Sequence, residues 1–111
     1  MQYCEWFIVF SEGETINLDF TAFDLEYDST CQYDWLEVRE GTQPSSSLVG
    51  KLLCGDEIPG SITSKTNELY IRFSSDGSGS RSGFEIQVTK NILAGIGYAI
   101  YALSNTMQSL F

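Results

Sequence analysis

The sequence predicts an all-β protein, an antiparallel sandwich or barrel, because apolar and polar residues alternate through most of its length. A period of two places the apolar side chains on one face of a strand. Short strands of this kind, separated by turns, are typical of antiparallel sandwiches and barrels. The apolar members of the alternating runs are Trp6, Ile8 and Phe10, then Ile16, Leu18 and Phe20, then Leu69, Ile71 and Phe73, and finally Phe84, Ile86 and Val88.

Turn-forming residues punctuate these runs. We predict turns at residues 11–14, 40–44, 58–60 and 65–68, because each of these polar segments contains glycine, proline, asparagine or serine. No pattern of helical period occurs before residue 90, so we predict no helix in that part of the chain.

The composition excludes several classes of function. The chain has 111 residues, enough for one domain, and a net charge of -9, which argues against nucleic-acid binding. A partner with basic groups or a hard cation fits this charge better. The chain has no histidine, which removes Ser-His and Cys-His nucleophiles and most catalytic zinc sites.

The three cysteines, Cys4, Cys31 and Cys54, form no CxxC motif, so we predict neither a zinc ribbon nor a thioredoxin-type redox site. One disulfide with one cysteine left over is the better interpretation, and oxidised cysteines indicate a secretory compartment. No secretory leader pattern follows Met1, so we expect the chain to be a fragment or to begin further upstream.

Residues 91–111 differ from the rest because they carry no charge. We therefore divide the chain into a β-domain of residues 1–90 and a tail of residues 91–111. The apolar part of the tail, residues 92–103, is shorter than the roughly 20 residues of a membrane-spanning helix. A segment from beyond the domain, a membrane attachment and a docked helix are the three interpretations of the tail.

The centre of the chain carries a recognisable pattern. Residues 23–41 read FDLEYDSTCQYDWLEVREG. Four other segments belong to the same pattern and occur in the order that the pattern requires: residues 4–6 with 13–20, 54–59, 67–76, and 83–84. Together these pieces resemble a CUB domain over residues 3–89. The resemblance implies an antiparallel β-sandwich of jelly-roll type, an extracellular location, and a non-enzymatic role in protein binding.

The resemblance also bears on the cysteines. It implies a disulfide between Cys31 and Cys54, for which the loop-entropy model gives roughly 3 kcal/mol of stabilisation. CUB domains begin with a further strand and a cysteine that pairs with the equivalent of Cys4. We therefore expect a CUB domain without its N-terminal strand segment, in which Cys4 is a free thiol or pairs outside this chain.

Calcium-binding CUB domains hold one Ca²⁺ with acidic residues at positions that match Glu26, Asp34 and Asp76, and the resemblance adds an oxygen of Ser78. Calcium prefers six to eight oxygen ligands, and carboxylates held close together repel one another unless a cation joins them. The resemblance thus implies a calcium site, whereas the alternative is a set of exposed acids in an acidic protein.

The same resemblance places a partner-binding surface at Glu26, Tyr33, Asp34 and Asp76, where a Lys or Arg of an extracellular protein would reach the carboxylates. Tyr33 has an alternative role as a packing aromatic beside Trp35, which we place in the core with Trp6, Phe20 and Phe73.

Three functions follow from these observations. The leading hypothesis is a calcium-dependent protein-binding module, part of a larger secreted or cell-surface protein. The second is a calcium-independent adhesion module of the sperm-coating type that binds glycans or proteins. The third is an enzyme with Glu26 and Asp34 as a glycosidase-like pair, which nothing else in the sequence supports.

Overall fold

The computed structural model describes residues 2–77, 81–93 and 98–109, and its strands form two four-stranded antiparallel sheets. Sheet one has the strand order β1-β6-β3-β4 and sheet two the order β5-β2-β7-β8. This arrangement confirms the predicted all-β antiparallel sandwich. The strands are β1 (Gln2–Val9), β2 (Glu14–Asp24), β3 (Trp35–Glu40), β4 (Ser47–Leu48), β5 (Ile62–Thr63), β6 (Glu68–Ser75), β7 (Gly83–Leu93) and β8 (Tyr98–Ser109).

The core lies between the sheets, and the alternating residues of β2, β6 and β7 that the sequence predicted form most of it. The inward side chains of β2, β6 and β7 are almost fully buried, and Phe73 of sheet one meets Phe84 of sheet two edge to face, 5.1 Å between ring centroids. Trp6 packs on Phe84 in the same manner from β1. The buried apolar residues are Ile16, Leu18, Phe20, Phe23, Leu25, Leu36, Val38, Leu69, Ile71, Phe73, Phe84, Ile86 and Val88.

Strand β2 contains a β-bulge that determines which face of the sheet its last side chains occupy. The register against β7 shifts between Phe20 and Ala22. A bulge adds one residue to a strand and thereby changes which face the following side chains occupy. As a result both Phe20 and Phe23 are buried although they lie three positions apart, and Leu25 follows them into the core.

The assignment of Trp35 to the core was wrong. Strand β3 buries Leu36 and Val38, so the alternation turns Trp35 to the outer face of sheet one, where its side chain is half-buried. The guanidinium of Arg72 lies 5.5 Å from the centre of its ring, within the range of a cation–π contact.

The outer face of sheet one also holds a buried carboxylate that the sequence analysis missed. Glu37 is 3% exposed and accepts hydrogen bonds from Nε of Arg39 at 2.8 Å and Nε of Arg72 at 2.7 Å. Burial alone would raise the pKa of Glu37. The bonds and charges of the two arginines outweigh this effect and hold the pKa below its usual value of 4.5.

The cysteines adopt the pairing that the resemblance implied. Cys31 and Cys54 form a disulfide with a Cα–Cα distance of 5.7 Å. Cys4 is half-buried against the core and is not in a disulfide within this chain.

The end of the chain continues sheet two. Strand β7 runs to Leu93, past the expected domain boundary at residue 90, and β8 pairs with it in antiparallel register. The division into a domain of residues 1–90 and a tail of residues 91–111 stays a prediction. Within the described ranges, no helix is long and apolar enough to cross a membrane.

We predict that Glu37→Gln lowers the free energy of unfolding by about 1–3 kcal/mol at neutral pH, because two arginines lose a charged acceptor. The folded pKa of Glu37 lies below its unfolded value. Its contribution is therefore complete above 4.5 and is lost as the pH falls through the lower, folded value. Urea unfolding measured across this pH range should show that the free energies of unfolding of the unmodified chain and of Glu37→Gln become equal in acid.

Glu12→Gln in the exposed turn before β2 is the matched control, since it removes the same charge from a solvated position. A stability difference for Glu37→Gln that stays constant into strong acid would contradict the assignment.

Candidate metal centre

Three acidic residues converge at one end of the sandwich because of where their strands stop. Glu26 lies two residues after β2, Asp34 immediately precedes β3, and Asp76 immediately follows β6. Strands β3 and β6 are neighbours in sheet one, and Trp35 pairs with Ser74 at this end. One carboxylate oxygen from each of the three acids lies within 4.8 Å of the others.

Asp34 is the organising member of this cluster. Asp34 is 1% exposed. Its Oδ2 accepts a hydrogen bond from the backbone N–H of Glu26 at 2.9 Å, and its Oδ1 accepts one from the backbone N–H of Asp76 at 3.2 Å. Charged acceptors make strong hydrogen bonds, and a carboxylate can accept two at each oxygen. Asp34 therefore fixes both other acids through their main chains and retains lone pairs for a cation.

The loop before Asp34 is shaped by a second aspartate. The carboxylate of Asp28 accepts hydrogen bonds from the backbone N–H groups of Thr30 at 3.0 Å and Gln32 at 3.2 Å. These bonds lower the pKa of Asp28, and the bond from the backbone N–H of Thr30 has the largest effect. The carbonyl of Asp28 accepts a bond from the N–H of Cys31, whose backbone is left-handed at φ 52°. This tight turn brings Cys31 to Cys54 and leads the chain back to Asp34.

Asp28 was not singled out from the sequence. Aspartate followed by serine and threonine is a common start for an Asx turn, in which the side chain bonds the backbone two residues on. That pattern, at residues 28–30, would have identified it.

The three carboxylates suit a hard cation. Calcium accepts carboxylate, carbonyl and water oxygens in flexible geometry, and three acids supply charge that exceeds that of one divalent ion. Glu26 and Asp76 are half-buried, so the centre lies at the surface where water can complete the coordination. Ser78, expected as a further ligand, lies outside the described residues.

Tyr33 and Tyr27 are exposed aromatic residues that are adjacent in sequence to two of the three acids. Tyr33 is 47% exposed and precedes Asp34, and Tyr27 is 71% exposed and follows Glu26. The exposure of Tyr33 favours a surface position over packing within the core. Its role in binding a partner stays a prediction.

The sequence of the chain matches a known family of protein domains. The model of the CUB domain family matches residues 1–88. Bone morphogenetic protein 1 of Xenopus laevis is 40% identical over 89 residues, which cover 80% of this chain and 12% of that protein. Human tolloid-like protein 2 is 42% identical over 89 residues, covering 80% of this chain and 9% of that protein. The chain thus spans about a tenth of the length of these curated relatives.

Solved structures agree with the observed fold. The CUB1-EGF-CUB2 domains of rat MASP-1 match with a TM-score of 0.68 and 28% identity, over 78% of this chain and 31% of that one. The relatives are secreted or extracellular proteins, which places this chain in the extracellular space. They also include larger proteases, in which CUB domains are non-catalytic modules.

The hydrogen bonds of Asp34 predict a local effect of its removal. In Asp34→Ala, measured with chelator present, the amide hydrogens of Glu26 and Asp76 should exchange about tenfold faster, because each loses a bond worth roughly 1–2 kcal/mol. The amide of Leu18 in the middle of β2 reports the loss of global stability, and it should be accelerated less than these two amides.

Asp28→Ala is the matched control for this exchange measurement by NMR, and it should accelerate the amides of Thr30 and Gln32 instead. Unchanged exchange at Glu26 and Asp76 in Asp34→Ala would show that the carboxylate does not hold these segments.

Proposed function

Because the chain belongs to the CUB domain family, we propose that it is a calcium-dependent protein-binding module of an extracellular protein. One observation carries the calcium part of this proposal: three carboxylates from separate strand ends lie within 4.8 Å, and the buried Asp34 anchors the other two. Such an arrangement without a cation concentrates negative charge, and a bound cation relieves the repulsion.

Calcium fits these residues better than magnesium does. Magnesium demands near-ideal octahedral geometry and releases its waters reluctantly, whereas calcium tolerates irregular sets of ligands. Glu26, Asp34 and Asp76 stand on segments outside the regular strands, which favours the more tolerant ion. When bound, the ion would supply positive charge that ties the end of β2 to the ends of β3 and β6.

The partner we propose is an extracellular protein that presents a Lys or Arg. The carboxylates of Glu26, Asp34 and Asp76 would accept charge-assisted hydrogen bonds from that side chain, and the exposed ring of Tyr33 would cover its stem. The net charge of -9 would attract such a partner from a distance.

A non-catalytic role is part of the same proposal. Both oxygens of Asp34 bond to backbone N–H groups, which suits a structural ligand better than a nucleophile or a general base that must exchange protons with a substrate. The catalytic activities of larger relatives are not carried over to this chain.

We predict that Ca²⁺ raises the melting temperature and that chelation reverses the rise. Ion at ten times its Kd adds about 1.4 kcal/mol to the folded state, which shifts a domain of this size by several degrees. Asp76→Asn should remove most of the shift by deleting a ligand, and Asp56→Asn, an exposed acid outside the cluster, should retain it.

Scanning calorimetry with and without millimolar calcium measures these shifts. No calcium-dependent shift in the unmodified chain would exclude the calcium part of the proposal and leave the calcium-independent adhesion module as the alternative.

Partner binding can be tested separately with a short lysine-rich peptide on a sensor surface. We predict calcium-dependent binding that Asp76→Asn weakens about tenfold, in line with the loss of a hydrogen-bonded charge pair. Asp56→Asn changes the net charge by the same amount and should weaken binding much less, because the residue is not in the cluster. Equal losses in the two variants would mean that the peptide senses only overall charge.

A further inference from the structure

Among the side chains whose exposure the structure describes, Tyr27 is the most exposed aromatic one, and calcium binding does not explain its surroundings. Tyr27 is 71% exposed and lies in the segment between β2 and β3 where the backbone has no regular structure. The edge of its ring lies above Gly55, where an added Cβ would come within 3.4 Å of Cδ1. Among the residues that the structure describes, its hydroxyl has no hydrogen-bond partner.

Acidic residues surround Tyr27 closely in sequence. Glu26 precedes it, Asp28 follows it, and Asp24 lies three positions before it. Asp28 is half-buried, and its carboxylate accepts hydrogen bonds from the backbone N–H groups of Thr30 and Gln32. An enzyme that binds an anionic group donor needs a basic active site, and such a site attracts an acceptor flanked by carboxylates.

From these features we infer that Tyr27 is an acceptor site for tyrosine sulfation during secretion. The extracellular assignment means that the chain passes through the secretory pathway, where sulfuryl groups are transferred to tyrosine. The proposal rests on that assignment and not on calcium binding.

The chemistry is a group transfer without oxidation or reduction. The phenolic oxygen of Tyr27 attacks the sulfur of a nucleotide phosphosulfate and forms a new O–S bond. The bond between sulfur and the bridging oxygen breaks, the nucleotide phosphate leaves with the electron pair, and the phenolic proton passes to a base of the transferase. The product is an aryl sulfate monoester, which adds one negative charge beside Glu26.

Tyr3 and Tyr33 are the other exposed tyrosines among those whose exposure the structure describes, and each lacks one or more of these features. Tyr33 is 47% exposed, but the adjacent acid, Asp34, is buried and bonded to backbone N–H groups. Tyr3 is 50% exposed, but Glu5, the one acid within three positions of it, already accepts a hydrogen bond from the hydroxyl of Tyr70, and the hydroxyl of Tyr3 accepts one from Arg72. Both tyrosines therefore serve as matched controls.

The test is the intact mass of the 111-residue chain secreted by cultured animal cells behind a cleavable leader, with tyrosylprotein sulfotransferase co-expressed. We expect a fraction of the chain to gain the accurate mass of one SO₃ group. Tyr27→Phe should lose this gain, whereas Tyr33→Phe and Tyr3→Phe should keep it. These substitutions remove only a hydroxyl from exposed positions, so the fold should be retained.

A second measurement does not depend on secretion. The purified chain is incubated with the transferase and a labelled phosphosulfate donor, and the incorporation of labelled sulfate is compared among the same variants. Label in the unmodified chain that is lost only in Tyr27→Phe supports the proposal. No incorporation in either assay, incorporation that persists in Tyr27→Phe, or a mass gain that matches phosphate and disappears with phosphatase would overturn it.

Discussion

The buried carboxylate of Asp34 joins the two sheets at the end of the sandwich that carries the acidic cluster. Asp34 opens β3 in sheet one, and its two oxygens bind the N–H of Glu26, beyond β2 of sheet two, and the N–H of Asp76, beyond β6 of sheet one. A buried carboxylate is costly unless it is fully hydrogen-bonded, so these contacts are needed for the fold as well as for the site. The geometry of the metal centre is consequently part of the architecture rather than an addition to it.

Two further features bring Asp34 to this position. The Asx turn at Asp28 reverses the chain after β2, and the disulfide between Cys31 and Cys54 fixes that turn to the neighbouring segment. The bulge in β2 sends Leu25 into the core, so Glu26 emerges at the rim of the sandwich next to Asp34. A calcium ion would therefore bind residues whose main chains are already held, which lowers the ordering cost of binding.

Strand periodicity predicted the core well because β2, β6 and β7 each bury one face, and the family pattern brought together Glu26, Asp34 and Asp76 although they are distant in sequence. Trp35 lies outside the core because the alternation that buries Leu36 and Val38 turns its aromatic side chain to the outer face of sheet one. The burial of Glu37 could not be predicted, since it depends on Arg72 from a different strand. Strands β4 and β5, two residues each, are too short to produce a periodic pattern.

The most direct test of the calcium proposal is a crystal structure of the chain grown with Ca²⁺, with the ion identified by its anomalous scattering. We predict one ion with carboxylate oxygens of Glu26, Asp34 and Asp76 at about 2.3–2.6 Å, and with the bonds from Asp34 to the two backbone N–H groups intact. A structure that shows no ion at saturating calcium, or an ion bound elsewhere while these three carboxylates contact only protein and water, would contradict the proposal.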